Sequence, residues 1–462
     1  MSKCLRPIGP NTPFETVPYK EAPVTEDLST AQAPTNVSKG QGKRGFIVAL
    51  TGTSLEWYDF AIYSAASALV FGQVFFSSSD PLAGTLAAFA TYAVGYVARP
   101  LGGILFGRLG DRIGRKKVLV WTLILIGVAT FAVGLIPAYA TIGIAAPILL
   151  VFLRLCQGVG VGGEWAGAVL ISSEHGDPSK RGLFGSAAQI GPPLGNLMAN
   201  GALALLALLP KDDFLSWGWR VAFLFSAVLV IVGLIIRFKI EETPVFEAIQ
   251  EQGLTPKSPL AEVFKTERKA LLAATMARIA PDVMYALSTV FILTYATRQF
   301  GLQPGQALLA VVIGSACQVF MVPAAGYLSD RMNRRLVTAI GAGLSIIYPF
   351  VFFPLMATGY FGIVLAVIFG LLCNSLMYGP QAALVSEQFS PRLRYAGSSM
   401  AYTIGGVFGG AIAPLLFTWL LGTYGTWLPL AVYIAVVATI TLIGVSMAKN
   451  PDSRELTSHS VY

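Results

Sequence analysis

Long apolar stretches separated by short polar connections run through the chain from residue 45 almost to its end. They lie at 45–75, 83–106, 117–137, 143–171, 183–209, 218–237, 270–298, 306–328, 336–357, 360–386, 396–421 and 428–448. Each is near or above the roughly 20 residues that a helix needs to cross the hydrocarbon core of a bilayer. The pattern predicts an all-α integral membrane protein with about twelve transmembrane helices, spans 1 to 12 in chain order.

Charge then orients these spans. Lys43 and Arg44 before span 1, the run Arg108 to Lys117 after span 2, Lys180 and Arg181, a basic stretch from Arg237 to Lys269, Arg331 to Arg335, and Arg392 and Arg394 all fall on one set of alternate connections. On the opposite connections Lys211, Arg220 and Arg298 are exceptions. Basic connections face the cytoplasm, so both termini are expected there. Residues 1–42, rich in Pro, Thr, Ser and Glu, read as a disordered cytoplasmic tail and not as a signal peptide.

Composition narrows the class further. Hydrophobic residues make up 55% of the chain and charged ones 12%, against roughly 25% charged in soluble domains. The net charge of +8 is divided among helix ends. Topology explains that distribution, and no nucleic acid is expected as a partner. Cys4, Cys156, Cys317 and Cys373 are isolated, so neither a metal site nor a cofactor is expected. His175 and His459 are the only histidines; a proton relay in the membrane would have to run on carboxylates.

One phrase occurs twice. GRLGDRIGRKK at 107–117 and GYLSDRMNRR at 326–335 each close a long apolar segment, and Gly107/Gly326, Asp111/Asp330, Arg112/Arg331 and Arg115/Arg334 share one offset. SEHGDPSKRG from 173 and SEQFSPRLRY from 386 repeat Ser, Glu, Pro and Arg at the same internal spacing. The chain thus divides into two pseudo-symmetric six-helix bundles, 43–237 and 270–448, joined by a cytoplasmic linker over 238–269 and followed by a tail over 449–462. Parallel repeats of this kind belong to transporters.

These residues resemble the major facilitator superfamily, whose hallmark is a Gly-x-x-x-Asp-Arg-x-Gly-Arg-Arg/Lys sequence after the second helix; GRLGDRIGRKK matches it throughout. SLEWYDFAIY, VGYVARPLGG, RLCQGVGVGGEWAGAVL and SWGWRVAFLFS resemble its metabolite:proton symporter family. The resemblance implies the two-bundle fold, a bacterial cytoplasmic membrane, and substrates such as shikimate, 2-oxoglutarate, citrate, hydroxybenzoates, or proline and betaine. The second copy has Asn333 where the hallmark has Gly, and reads as a relic of duplication. In the first copy Gly107, Asp111, Arg112, Gly114 and Arg115 can form a gate latch, because a positive-inside cluster alone would need neither the Asp nor the glycines. Asp330, Arg331 and Arg99 are further gating candidates.

Ionisable groups within spans are costly and invite a functional role. Glu56, Asp59 and Tyr63 share one face of span 1, with Asp59 the first candidate for the proton carrier and a permanently paired Asp as the alternative. Span 4 offers Arg154, Gln157, Val161 and Trp165 in one stripe; Arg154 either grips a substrate carboxylate or pairs with Glu164 or Asp59. In span 7, Arg278, Asp282 and Tyr285 repeat the theme, as substrate ligand and second proton site or as a self-neutralising pair. Gln189, Asn196, Gln318, Asn374, Tyr378, Gln381 and Tyr402 can complete a central site or serve as interhelical hydrogen bonds. The glycines at 158, 160, 162 and 163 are read as helix-packing positions. No paired nucleophile suggests an enzyme. The expected activity is uptake of a small organic anion by a monomer in the lipid bilayer, with the proton as coupling ion. The rivals are an osmolyte symporter, whose osmosensing relatives often have a long C-terminal extension where this chain has about a dozen residues after the last span, and an exporter.

Overall fold

The computed structural model describes residues 39–77, 80–113, 115–162, 181–238, 259–390 and 393–449; the side chains of 39–49, 51, 107–108, 110–116, 119, 181, 236–238 and 259–260 lie outside that description. Helices occupy all twelve predicted positions. Span 1 is Lys39–Ala66, continued by a π turn at Ser67–Phe71 and by Gly72–Val74. Span 2 is Pro81–Val97 with Arg99–Ile113, span 3 Arg115–Leu135, span 4 Ala145–Val161, and span 5 Arg181–Gln189 with Gly191–Leu206. Span 6 runs from Lys211 through Ser226–Phe238. Spans 7 and 8 are Arg268–Gln299 and Pro304–Met332, and spans 10, 11 and 12 are Tyr360–Ser386, Arg394–Tyr424 and Leu428–Met447. Span 9, Arg334–Ile347 and Pro349–Met356, is bent by 53° at Pro349, which has no N–H to donate and crowds the preceding turn. Among the described residues, seven helices are individually long and apolar enough to span a membrane, and the bent pair makes an eighth.

Helices are the only open-ended segments that satisfy their own backbone in hydrocarbon, and the distribution of side chains fits that solvent. Leu101, Trp121, Phe152, Leu205, Phe320 and Phe361 are each more than half exposed. Arg154, Gln157, Asn196, Arg278, Gln318 and Gln381 are buried. This arrangement, apolar outside and polar within, describes a multi-pass membrane protein.

Local sequence fixes the ends of several spans. Asp80 Oδ1 accepts from the Leu82 amide at 2.8 Å in front of Pro81 at the first helical position. Gln303 and Gln306 form a reciprocal cap ahead of Pro304. The duplicated phrase is not a loop: the helix of span 2 runs on to Ile113 and that of span 8 to Met332, so both copies begin inside a helix. The π turns of spans 1 and 7 start at Ser67 and Leu287, an offset of 220 (287 − 67), against 219 (326 − 107) for the duplicated phrase. An irregularity kept at matching depth in both halves is a further trace of duplication.

Spans 2 and 4 are in backbone contact. A Cβ at Gly102 would land on the Val159 carbonyl, one at Gly158 on the Gly95 carbonyl, and one at Gly162 on the Arg99 carbonyl. The glycines are required because nothing larger than hydrogen fits between the helices. Gly158→Leu is therefore expected to abolish the monodisperse, folded species in detergent gel filtration. Gly201→Leu, at a glycine with nothing within 4 Å of the added carbon, is expected to leave that peak intact.

Candidate functional site

Two narrow cavities lie on the boundary between spans 1–6 and spans 7–12. The first is lined by Trp57, Tyr92, Tyr96, Asp282, Tyr285 and Gln318, with Asn374, Tyr378 and the paired prolines 192 and 193 of span 5. The second, which shares Trp57 with it, is lined by Glu56, Arg99, Val161, Ser399, Tyr402 and Thr403. Asp282, Tyr285, Gln318, Asn374, Tyr378, Glu56 and Tyr402, expected at the site, and Arg99, expected as a gating residue, each line one of the cavities.

A charged centre stands behind the first cavity in span 7. Arg278 Nη2 is 3.0 Å from Asp282 Oδ1, one helical turn away, and Arg278 Nη1 donates to Gln381 Oε1 at 2.6 Å. The Tyr402 ring lies flat against the guanidinium, 3.4 Å from Cζ to the ring centroid. Arg278 itself lines neither cavity. The two form an ion pair within one helix, while Asp282 Oδ2 has no hydrogen-bond partner and its residue borders the cavity.

The matching centre in the first half is built differently. Arg154 is fully buried, with its Cζ 4.2 Å from the Tyr63 ring centroid, 4.3 Å from that of Phe60 and 5.1 Å from that of Tyr92. Its Nη1 donates to Gln157 Oε1 at 3.1 Å, and Gln157 Nε2 donates to Thr130 at 2.7 Å. Nε and Nη2 have no hydrogen-bond partner. Asp59, buried on span 1, lies beside Thr130 and within the electrostatic reach of Arg154 and Glu56. Gly95 makes room for this cation: a Cβ there would meet the Arg154 guanidinium. Arg99 shares the Phe60 ring, 4.3 Å from its centroid, and also covers Tyr96 at 4.1 Å. Cations over aromatic faces are held by the ring quadrupole.

Several of the expected site residues lie away from the two cavities. Arg154, Gln157 and Tyr63 line neither cavity; the aromatic cage closes over the guanidinium, and the Tyr63 hydroxyl is spent on Thr91 at 2.8 Å. Gln189 and Asn196 join the halves instead, through the Tyr378 carbonyl at 3.3 Å and the Ser315 hydroxyl at 2.7 Å. Gln381 is a ligand of Arg278 and borders neither of the two cavities. Trp57, Tyr92 and Tyr96 were not singled out, although Tyr92, Tyr96 and Arg99 form an i, i+4, i+7 stripe visible in the sequence. Glu164, Trp165 and Gly114 lie outside the described residues, and of Gly107, Asp111, Arg112 and Arg115 only the backbone is described.

Contacts join the halves at both ends of the bundle. At the end that carries the duplicated phrases, Asp330 Oδ1 and Oδ2 accept from the amides of Gly182 and Leu183 at 2.7 and 2.8 Å, so span 8 caps the first turn of span 5. Arg334 holds both Glu387 oxygens, at 2.5 and 2.6 Å, and lies 3.5 Å from Asp330. The second copy is therefore a working contact and not merely a relic. Asn333, in the place of the hallmark glycine, has φ of 136°, the only positive φ of a non-glycine among the described residues. Its side chain accepts from the Arg335 amide at 2.9 Å, a local bond that helps Asn tolerate such a backbone. Arg331 takes no part and lies over the Tyr327 ring at 4.6 Å. At the opposite end Arg298 Nη2 of span 7 donates to the Pro81 carbonyl at 2.7 Å and to the Thr85 hydroxyl at 2.5 Å on span 2.

A duplicated helical bundle with its polar groups gathered around a midline cavity defines a solute transporter, not an enzyme. Comparison with known proteins agrees. The family model for the Major Facilitator Superfamily matches residues 49–406. "Inner membrane metabolite transport protein YhjE" of Escherichia coli (strain K12) is 40% identical over 86% of this chain and 92% of its own length. "Shikimate transporter" of the same strain is 35% identical over 92% and 98%, and "Proline/betaine transporter" of Salmonella typhimurium is 33% identical over 89% and 85%. The solved structure "Crystal structure of D-xylose-proton symporter" shares the fold with a TM-score of 0.69 at 18% identity, over 89% of this chain and 98% of that one. The chain belongs to the major facilitator superfamily and, within it, to the metabolite:proton symporter family.

Proposed function

We propose that this transporter takes up a small organic anion together with protons by alternating access, with the end bearing the duplicated phrases facing the cytoplasm. The observation that carries the reading is a buried carboxylate near a buried guanidinium in each half, Asp59 with Arg154 and Asp282 with Arg278, of which Asp282 borders the first cavity. Removing a proton-binding carboxylate from water ties its charge state to whatever cation faces it, so solute arrival and protonation can influence one another. The test is uptake into proteoliposomes of labelled shikimate, a hydroxybenzoate, 2-oxoglutarate, citrate and proline, with and without an inward proton gradient. Gradient-dependent accumulation of an acid is expected; gradient-independent equilibration of every solute would defeat the proposal. A second reading, a zwitterion carrier, is favoured by the aromatic faces of Trp57, Tyr96 and Tyr285 around Asp282, which suit an ammonium group.

In this mechanism Asp330 and Arg298 act as opposing latches, each crossing between the halves at one end. Hydrogen bonds to charged groups contribute about 1.5–3 kcal/mol, so losing one shifts the balance of open states by roughly tenfold or more. In a cysteine-free background with one cysteine at position 378, Asp330→Ala is expected to speed labelling by an impermeant maleimide from the cytoplasmic side, and Arg298→Ala from the other side. Equal labelling from both sides in both variants would remove the latch role.

A further inference from the structure

Two buried acceptors without a partner border the first cavity, with two hydroxyls beside them, and these specify the cargo of the organic-anion reading, on which the inference rests. The amide orientations are fixed by a chain of bonds. Asn374 Nδ2 donates to the Pro281 carbonyl at 2.7 Å, a group that can only accept. Asn374 Oδ1 therefore faces Gln318 and receives its Nε2 at 2.7 Å. Gln318 Oε1 is left buried without a partner. Asp282 is divided in the same way: Oδ1 takes Arg278, and Oδ2 has no partner. The hydroxyls of Tyr285 and Tyr378 are buried beside them, that of Tyr378 next to Tyr402. All four residues line one cavity, with the rings of Trp57 and Tyr96 as its apolar walls.

Buried acceptors without partners are costly, and a site that holds them recognises a ligand by the donors that meet them. We infer that Asp282 and Gln318 are specificity determinants that read hydroxyl donors on a hydroxylated carboxylic acid. The aromatic walls take its carbon skeleton, and the tyrosine hydroxyls can donate to its carboxylate. An N-methylated betaine brings no donor and leaves both acceptors unmet.

The experiment uses matched pairs in proteoliposomes of the full chain: shikimate against cyclohexene-1-carboxylate, 4-hydroxybenzoate against benzoate, and citrate against tricarballylate, with glycine betaine and 2-oxoglutarate alongside. The hydroxylated member of at least one pair is expected to half-saturate at a concentration on the order of 100-fold lower than its deoxy partner. Gln318→Met should shrink that ratio about tenfold by weakening only the hydroxylated acid, a change that a purely structural role for Gln318 would not produce. Comparable uptake of both members of every pair, or preference for 2-oxoglutarate or glycine betaine, overturns the inference. The organic-anion reading survives if any acid is accumulated without regard to hydroxyls, and falls together with the inference if no acid is. The wild-type pairs decide the matter even if the variant fails to fold.

Discussion

Asp59→Asn is expected to abolish proton-driven accumulation, a loss of at least about 100-fold in the gradient-dependent component, while solute exchange across the membrane persists. The argument is local. Asp59 is buried on span 1 beside Thr130 and near Arg154. The amide keeps the size of the carboxyl group and its polar contact but can neither bind nor release the proton. Its effect should therefore fall on coupling and not on substrate entry, which counterflow in the absence of a gradient measures separately. An Asp59→Asn protein that accumulates solute as the parent does would transfer the proton role elsewhere, with Asp282 the next carboxylate to examine.

Arg278→Leu should strongly lower the stability of the second half. The guanidinium is buried, holds Asp282 and Gln381, and is packed directly against span 11, where Gly405 faces its Cβ and Cγ and Gly409 faces Asp282 Cβ. Removing one partner of a buried ion pair costs about 3–5 kcal/mol, because the other charge is left without compensation. Thermal unfolding in detergent should show a markedly lower midpoint, and adding Asp282→Asn should recover much of the loss without restoring transport. If the single variant unfolds at the parental temperature, the pair is not the structural centre of the second half.

Much of this was legible in the chain. Span positions follow from the apolar runs because a bilayer demands roughly 20 residues of self-satisfied backbone, and the observed ends of span 8, Pro304 and Met332, lie within a few residues of the predicted 306–328. Direction was harder. A buried Arg in sequence does not say which way it faces, and the Phe60, Tyr63 and Tyr92 rings that turn Arg154 away from the cavities look like ordinary core residues in an apolar helix. Trp57 and Tyr96 were hidden for the same reason. Two exceptions to the charge rule have structural causes: Arg298 bridges spans 7 and 2, and Arg220 donates to the Gly134 carbonyl at 3.0 Å, neutralising the end of span 3. Asn333 was misleading because a missing glycine suggested decay, whereas Asn333 itself holds a positive φ.

The central claim is that proton and acid cross together. In sealed proteoliposomes with a trapped pH indicator and no imposed gradient, external addition of the transported acid should acidify the lumen in proportion to its uptake, and the Asp59→Asn protein and protein-free vesicles should give no such signal. Uptake of the acid by the parent protein with no change in lumenal pH would contradict the account.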